Sequence, residues 1–138
     1  MKIIYYTSSE NNIRVVSEAV KVLRNGGVIL YPTETTYGLG AAALKPEAVR
    51  KIYAIKGRAF DKPLSVMING LAMAEKYVVM TPPAREIFSS LLPCPLTLIL
   101  KKKSPVPNIL TGGSDNLGIR WSDYSLVQRL LDEYGFPL

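Results

Sequence analysis

The feature that most constrains the fold is the alternation of strand-sized apolar runs with segments of helical periodicity. Between the runs, apolar residues recur every three to four positions, and glycine or proline separates one segment from the next. A helix, a glycine turn and then a strand is the order typical of layered α/β proteins. The predicted strands are Val28–Tyr31, Leu64–Ile68, Leu96–Leu100 and Leu117–Trp121, with a short edge strand over residues 2–6.

The segments between these runs predict helices. Thr81 is expected to cap one of them, with prolines in its first turn and Ile87, Leu91 and Phe88 on its buried side. The predicted helices cover residues 13–23, Pro46–Ile55, Leu71–Lys76, residues 82–92 and Ser125–Tyr134.

Length and composition fit one folded domain. The chain has 138 residues, of which 48% are apolar and 20% are charged. No apolar run approaches the length of a membrane span, and the first residues lack the long apolar stretch of a secretory signal. The single cysteine, Cys94, cannot form an internal disulfide. We therefore expect a cytoplasmic protein without a membrane partner.

The chain contains no histidine, which excludes several kinds of site. Histidine-based acid–base catalysis, Ser-His and Cys-His nucleophiles and the commonest zinc sites all need an imidazole. The net charge of +6 suits a polyanionic ligand or RNA, although many basic proteins bind neither. Any chemistry would therefore rest on cations, hydroxyls, carboxylates, a carboxylate-bound metal or a nucleophile supplied by the substrate.

A basic stretch, Lys56–Leu64, is the strongest candidate for a binding site. Lys56, Arg58 and Lys62 lie close together beside glycine and proline, so their like charges repel one another unless an anion lies against them. A phosphate or a carboxylate would fit. The alternatives are a solvated basic turn and, for the first two cations, pairing with the negative end of a helix dipole, which gives no reason for Lys62.

Polar residues also follow the first predicted strand, where ligands bind in open α/β sheets. The predicted loop Pro32–Gly40 holds three threonines, Glu34 and glycines that would let backbone approach a ligand. A threonine-rich turn without function is the alternative. The run Lys101–Lys103 is predicted to be a solvated face rather than an RNA contact. Thr111–Asp115 is a polar turn that could wrap a nucleotide or simply reverse the chain.

Four blocks of the sequence together resemble the threonylcarbamoyl-AMP synthase family, whose domain is called YrdC-type. They occur in the family's order and span nearly the whole chain, which makes the combination far more specific than any single block. The blocks are Gly26–Leu39, Lys56–Arg58 followed by Lys62–Leu64, Pro93–Thr97, and Asp115–Arg120.

The resemblance implies an α/β fold with an open, twisted sheet of mixed parallel and antiparallel strands, flanking helices and a basic concave surface. It implies a nucleotidyltransferase that joins L-threonine, bicarbonate and ATP, with Mg²⁺, into threonylcarbamoyl-AMP and releases pyrophosphate. Partner proteins would pass the group to an adenosine of tRNA, and tRNA or double-stranded RNA is the expected RNA ligand. A threonine carbamate would itself attack the α-phosphate, so the protein would only position anions and stabilise charge.

The family's motifs also suggest roles for individual residues. Thr33 and Arg120 would hold threonine. Lys56 and Arg58 would contact phosphate or carbamate oxygens and act as the catalytic residues. The nucleotide side would comprise Lys56 and Arg58 together with Lys62, Thr111 and Asn116, and no metal ligand is assigned.

The chain departs from the family pattern at a few positions. Cys94 replaces a glycine, and a proline usual after the conserved arginine is replaced near Trp121-Ser122. The family pattern continues past Leu138 into a strand and a Ser-x-Asn loop. On this comparison residues 1–138 form a single YrdC-like domain shortened at its C-terminal end, predicted to bind substrates weakly and to make little adenylate. The alternatives are an RNA-binding module without the chemistry, and a remnant or regulatory subunit that binds ATP or threonine without turnover.

Overall fold

A computed structural model describes residues 2–5 and 12–138 and shows five helices and five strands in that part of the chain. The α/β class predicted from the sequence is confirmed. Residues 2–5 form no strand, and the last residue of the predicted edge strand, Tyr6, lies outside the described residues. The elements are α1 (Asn12–Arg24), β1 (Val28–Pro32), β2 (Tyr37–Ala41), α2 (Pro46–Lys56), β3 (Ser65–Ile68), α3 (Leu71–Tyr77), α4 (Pro82–Leu91), β4 (Thr97–Lys101), β5 (Asn116–Trp121) and α5 (Ser125–Tyr134).

The described strands form two sheets of mixed direction. β1 and β2 make an antiparallel hairpin, whereas the larger sheet has the order β3-β5-β4. In that sheet β3 runs parallel to β5, and β4 runs antiparallel to it. The mixed strand directions agree with the prediction, although the strands divide between two sheets instead of joining in one.

Strand β2 corrects the expectation of a loop over Pro32–Gly40. Only residues 33–36 form the turn, and Tyr37–Ala41 pairs with β1 along its whole length. Glycine is a poor strand residue, which is why Gly38 and Gly40 suggested a loop. Here the pairing with β1 supplies the stability that local propensity lacks.

Helix α2 lies between two hydrophobic clusters and belongs to both. Ala48 and Ile52 pack into the cluster built on α1, β1 and α5, whereas Val49 and Tyr53 pack into the cluster that surrounds β3 and β5. A helix with apolar residues on two faces is held from both sides. Its last residue, Lys56, is therefore fixed near the junction of the two sheets.

The residues after α5 lie beside the outer edge of β3. The backbone N–H groups and carbonyls of Leu138 and Met67 exchange hydrogen bonds of 3.2 and 2.8 Å, and Ala43 N–H donates to the Pro137 carbonyl at 3.2 Å. Pro137 and Leu138 therefore make sheet-like backbone contacts at this edge.

The buried face of α4 differs from the prediction. Phe88 is buried, as expected, but Ile87 and Leu91 are exposed by 41% and 56%. Ile87 and Leu91 lie one turn apart on one face of the helix, and Ala84 and Phe88 lie one turn apart on another. The Phe88 ring stacks on Trp121 at a centroid distance of 5.3 Å, and this contact turns the ring's face to the core.

Lys45, just before α2, and Lys51, within α2, bind backbone carbonyls at the carboxyl end of α1 and in the turn that follows it. Lys45 Nζ donates to the Arg24 carbonyl at 2.6 Å, and Lys51 Nζ donates to the Gly26 carbonyl at 2.7 Å. Cations at a helix C-terminus satisfy carbonyls that have no partner within the helix and oppose its dipole.

We expect Lys51→Met to destabilise the protein by about 1–2 kcal/mol, because it removes a charge-assisted hydrogen bond that ties α2 to α1. The measurement is urea denaturation followed by circular dichroism. Arg50→Met, at the exposed neighbouring position of the same helix, removes an equal charge and is the control. Equal destabilisation by both variants would contradict the assigned contact.

Among the residues that the structure describes, no helix has both the length and the apolar character needed to cross a bilayer.

Candidate active site

A cleft of about 250 Å³ opens between the hairpin and the larger sheet. The turn after β1, the end of α2, strand β3 and strand β5 each contribute side chains to it. Three of the residues predicted to bind ligands line this cleft although they are far apart in sequence, namely Thr33, Lys56 and Arg120. The cleft therefore combines a hydroxyl and two cations, a set suited to a small anion.

A second, more open hollow adjoins the cleft. It measures about 560 Å³ and is lined by Lys56, Gly57, Arg58, Ala59 and Lys62. Lys56 borders both concavities. The cations predicted to bind phosphate therefore line the hollow, and Thr33 and Arg120, predicted to bind threonine, line the adjoining cleft. The volume of the hollow lies within the range usual for small-molecule sites, and that of the cleft lies just below it.

The backbone of the basic loop, residues 57–63, is held from several sides. Gly57 ends α2 in the left-handed conformation at φ 57°. Arg58 donates to the carbonyls of Lys62 and Pro63 at 3.3 and 3.1 Å. The hydroxyl of Tyr53 lies 2.9 Å from the Lys62 carbonyl and 3.0 Å from that of Ile109. Part of the Arg58 guanidinium thus shapes the loop, and its exposed remainder faces the hollow.

Thr33 closes the turn between β1 and β2. Its hydroxyl donates to the Thr36 carbonyl at 2.6 Å and accepts from the Thr36 N–H at 3.3 Å. Its own N–H donates to the same carbonyl at 2.9 Å. The hydroxyl proton is therefore used inside the turn, and the oxygen lies at the rim of the cleft. Its role toward threonine stays a prediction.

The structure also reveals a contact that the sequence analysis missed. Arg120 Nη2 lies 3.1 Å from Glu34 Oε1, and the Ser122 hydroxyl donates to Glu34 Oε2. Burial raises the pKa of Glu34, but the Ser122 hydrogen bond and the Arg120 charge outweigh it and hold that pKa below its usual value. Glu34 thus pairs with a residue 86 positions away in the sequence.

Tyr31 forms part of the floor of the cleft. Its ring packs over Gly38 and Gly40 of β2, where an added Cβ would lie 3.0 and 2.6 Å from ring carbons. Burial raises the pKa of Tyr31 to about 12, and the nearby Arg120 charge only partly opposes this. The phenol is therefore a neutral donor at physiological pH. The sequence placed Tyr31 at the end of a strand and within the Gly26–Leu39 block, with no role of its own.

Thr111 and Asn116 line neither concavity. Thr111 is fully buried, and its hydroxyl lies 2.8 Å from Lys102 Nζ and 2.7 Å from the Ser114 carbonyl. Asn116 is exposed at the start of β5, the opposite end of the strand from Arg120. Their assignment to the nucleotide side stays a prediction.

Two lysines of the basic run have internal partners. Lys102 Nζ also donates to Asn108 Oδ1 at 2.7 Å, and Lys103 Nζ donates to the Glu75 carbonyl at 2.5 Å. These bonds tie the residues that follow β4 to neighbouring segments, so the run contributes to the structure as well as to the surface charge.

The model of the Sua5/YciO/YrdC family, described as "Telomere recombination", matches residues 21–138. The chain belongs to this family. The match includes the hairpin, the basic loop and Arg120. The sequence resemblance to the threonylcarbamoyl-AMP synthase family is thereby confirmed.

Curated relatives of the Sua5/YciO/YrdC family support this membership. A putative threonylcarbamoyl-AMP synthase of Methanocaldococcus jannaschii is 39% identical over 127 residues, which is 92% of this chain and 60% of the relative. A threonylcarbamoyl-AMP synthase of Yersinia pestis is 37% identical over 132 residues, which is 94% of this chain and 69% of the relative. The chain thus spans 60% of the first relative's length, which is less than two thirds.

Solved structures of the family have the same fold. The structure of Pyrococcus abyssi Sua5 complexed with L-threonine superposes with a TM-score of 0.84 at 35% identity, covering 88% of this chain and 36% of that one. The structure of Escherichia coli YciO gives a TM-score of 0.83 at 29% identity, covering 90% of this chain and 61% of that one.

Proposed function

We propose that this chain is a threonylcarbamoyl-AMP synthase, a nucleotidyltransferase that forms threonylcarbamoyl-AMP and pyrophosphate from L-threonine, bicarbonate and ATP. The observation that carries the proposal is the shared position of Lys56, which borders both the small cleft and the open basic hollow. Two anionic ligands, one in each concavity, would meet at this side chain. The names of the curated relatives support the same reaction.

The cleft suits the amino acid. Arg120 supplies a guanidinium for a carboxylate, and the structure of the Pyrococcus relative was determined with L-threonine. The basic hollow, with Arg58 and Lys62, suits the phosphates of ATP. In this arrangement the carbamate formed from threonine and bicarbonate would attack the α-phosphate, and Lys56 would stabilise the charge that develops between the two ligands.

Mg²⁺ would enter with the phosphates of ATP. Within residues 2–5 and 12–138 no group of three or more acidic or cysteine side chains is arranged to hold a metal ion, so we assign no protein ligand to it. The protein's own residues would bind and orient the anions, and the ion would neutralise phosphate charge on the substrate.

The product would be consumed in tRNA modification, and we propose tRNA and its modifying proteins as the downstream partners. For the alternative of an RNA-binding module, the side chains of Lys102 and Lys103 bond to other residues of the chain, whereas that of Lys101 has no such bond within the part of the chain that the structure describes. This weakens the case for that run as an RNA surface.

The test is pyrophosphate release with ATP, bicarbonate, Mg²⁺ and L-threonine, run beside calorimetric titrations of ATP and of threonine. We expect both ligands to bind and pyrophosphate release to depend on threonine. The Yersinia relative, assayed in parallel, tests the expectation of low turnover, which a full rate from this chain would contradict. Binding of both ligands without release would favour a nucleotide-binding module, and a folded protein that binds neither would disprove the proposal.

A further inference from the structure

The ion pair between Glu34 and Arg120 joins the two sheets at the cleft. Glu34 follows β1 in the hairpin turn, and Arg120 lies near the end of β5 in the larger sheet. Their side chains are exposed by 15% and 29%. Arg120 lines the cleft, whereas Glu34 does not. The carboxylate therefore holds the guanidinium from outside the space that a ligand would occupy.

Both oxygens of Glu34 have a partner. Oε1 faces Arg120 Nη2 at 3.1 Å, and Oε2 accepts the Ser122 hydroxyl. Ser122 is itself fixed, because it is 1% exposed, its hydroxyl oxygen accepts the Tyr124 N–H at 3.1 Å, and its carbonyl accepts from Gln128. A carboxylate held at both oxygens has little freedom to rotate.

The Arg120 side chain needs such a partner. Its Nε is buried without a hydrogen-bond partner among the described residues, so the guanidinium is not fixed through that nitrogen. An arginine binds a carboxylate best when its planar fork is already oriented, because less conformational entropy is then lost on binding. In this structure the Glu34 contact is the recorded bond that supplies the orientation.

We infer that Glu34 is a positioning residue that orients the Arg120 guanidinium toward the carboxylate of the amino-acid substrate. The inference rests on the proposed function, since it takes threonine as the ligand of the cleft. Glu34 would touch neither threonine nor ATP and would act only through Arg120. A purely structural tie between the sheets would instead affect both ligands alike, or neither.

The negative charge of Glu34 and its orienting contact have opposite effects on anion binding, and this gives the test its direction. Removing a negative charge beside Arg120 would by charge alone strengthen binding of an anion. If orientation dominates, Glu34→Gln, which keeps the side-chain shape, raises the Kd for threonine by about tenfold, the loss expected for one charge-assisted hydrogen bond. The Kd for ATP should change by less than about twofold, because the hollow does not include Arg120.

Threoninamide, in which the carboxylate is replaced by a neutral amide, provides the decisive comparison. The parent protein should bind threoninamide more weakly than threonine, and Glu34→Gln should bind threoninamide as the parent does. A positioning role thus predicts coupling between Glu34 and the ligand carboxylate, which a general loss of stability would not produce. Urea denaturation of each variant measures its stability separately.

Ser122→Ala serves as a second variant in case Glu34→Gln does not fold. It frees one carboxylate oxygen, leaves the ion pair in place and should raise the threonine Kd by about threefold with ATP binding unchanged. Equal or tighter threonine binding by the variants, while the parent binds threonine, would overturn this inference and leave the proposed function intact. Failure of the parent protein to bind threonine would overturn both.

Discussion

Replacing Gly112 by alanine is expected to destabilise the protein by about 2–5 kcal/mol, the combined cost of left-handed backbone strain and a steric clash. At φ +59° a Cβ on Gly112 would lie 2.5 Å from the Asp61 carbonyl oxygen and 2.8 Å from the Asp61 carbonyl carbon. Both are backbone atoms of the basic loop, so they cannot move aside by a change of rotamer. The clash would displace the backbone at Asp61, between Arg58 and Lys62, which line the hollow.

Gly113 is the matched control for this substitution. It also has a positive φ, +83°, but an added Cβ there would meet no atom of the described residues within 4 Å. Gly113→Ala should therefore cost only the backbone strain, about 1–2 kcal/mol. Urea denaturation followed by the fluorescence of Trp121 measures both. Similar values for the two variants would mean that the Gly112–Asp61 contact does not restrain the basic loop.

Lys56→Met is expected to have the largest effect on activity. Lys56 borders both concavities, so its loss should raise the Kd for ATP by about tenfold or more, as for one charge-assisted hydrogen bond. If the same ammonium stabilises charge in the transition state, threonine-dependent pyrophosphate release should fall by about 10²–10³. Calorimetry and the release assay measure the two effects.

Lys76 offers a control that differs only in location. Lys56 lies in the last turn of α2 and Lys76 in the last turn of α3, so each faces the negative end of a helix dipole. Lys76 is exposed and lines neither concavity. Lys76→Met removes the same charge and should leave ATP binding and turnover unchanged. Parallel losses in both variants would show that overall charge, and not the site, governs binding.

Local signals were enough to predict most of the helices and strands. The apolar spacing and the flanking proline and glycine located α2 to within one residue, because Pro46 occupies its first position and Gly57 caps its carboxyl end. Strand β2 was missed because its stability comes from pairing with β1, which no local pattern records. The buried face of α4 was mispredicted because a short helix with apolar residues on two faces leaves the choice to tertiary contacts.

In the candidate site, too, the sequence predicted the residues that carry motifs but not the contacts that depend on the tertiary fold. The sequence motifs led to Thr33, Lys56 and Arg120, and these residues line one cleft. The partner of Arg120 could not be predicted, because Glu34 is 86 residues away and its carboxylate showed no distinguishing local pattern. Likewise, the bond from Lys102 to the Thr111 hydroxyl could not be predicted, because the sequence presents Lys102 only as one member of a charged run.

The packing of Tyr31 over Gly38 and Gly40 restricts which substitutions this chain can accept. A methyl group at position 40 would lie 2.6 Å from the ring, whereas the contact disappears if residue 31 is small. Positions 31 and 40 therefore cannot drift independently. Among descendants of this sequence we expect a side chain at position 40 to arise only after Tyr31 has been replaced by a smaller residue, so the order in which the two changes occur is fixed by the hairpin.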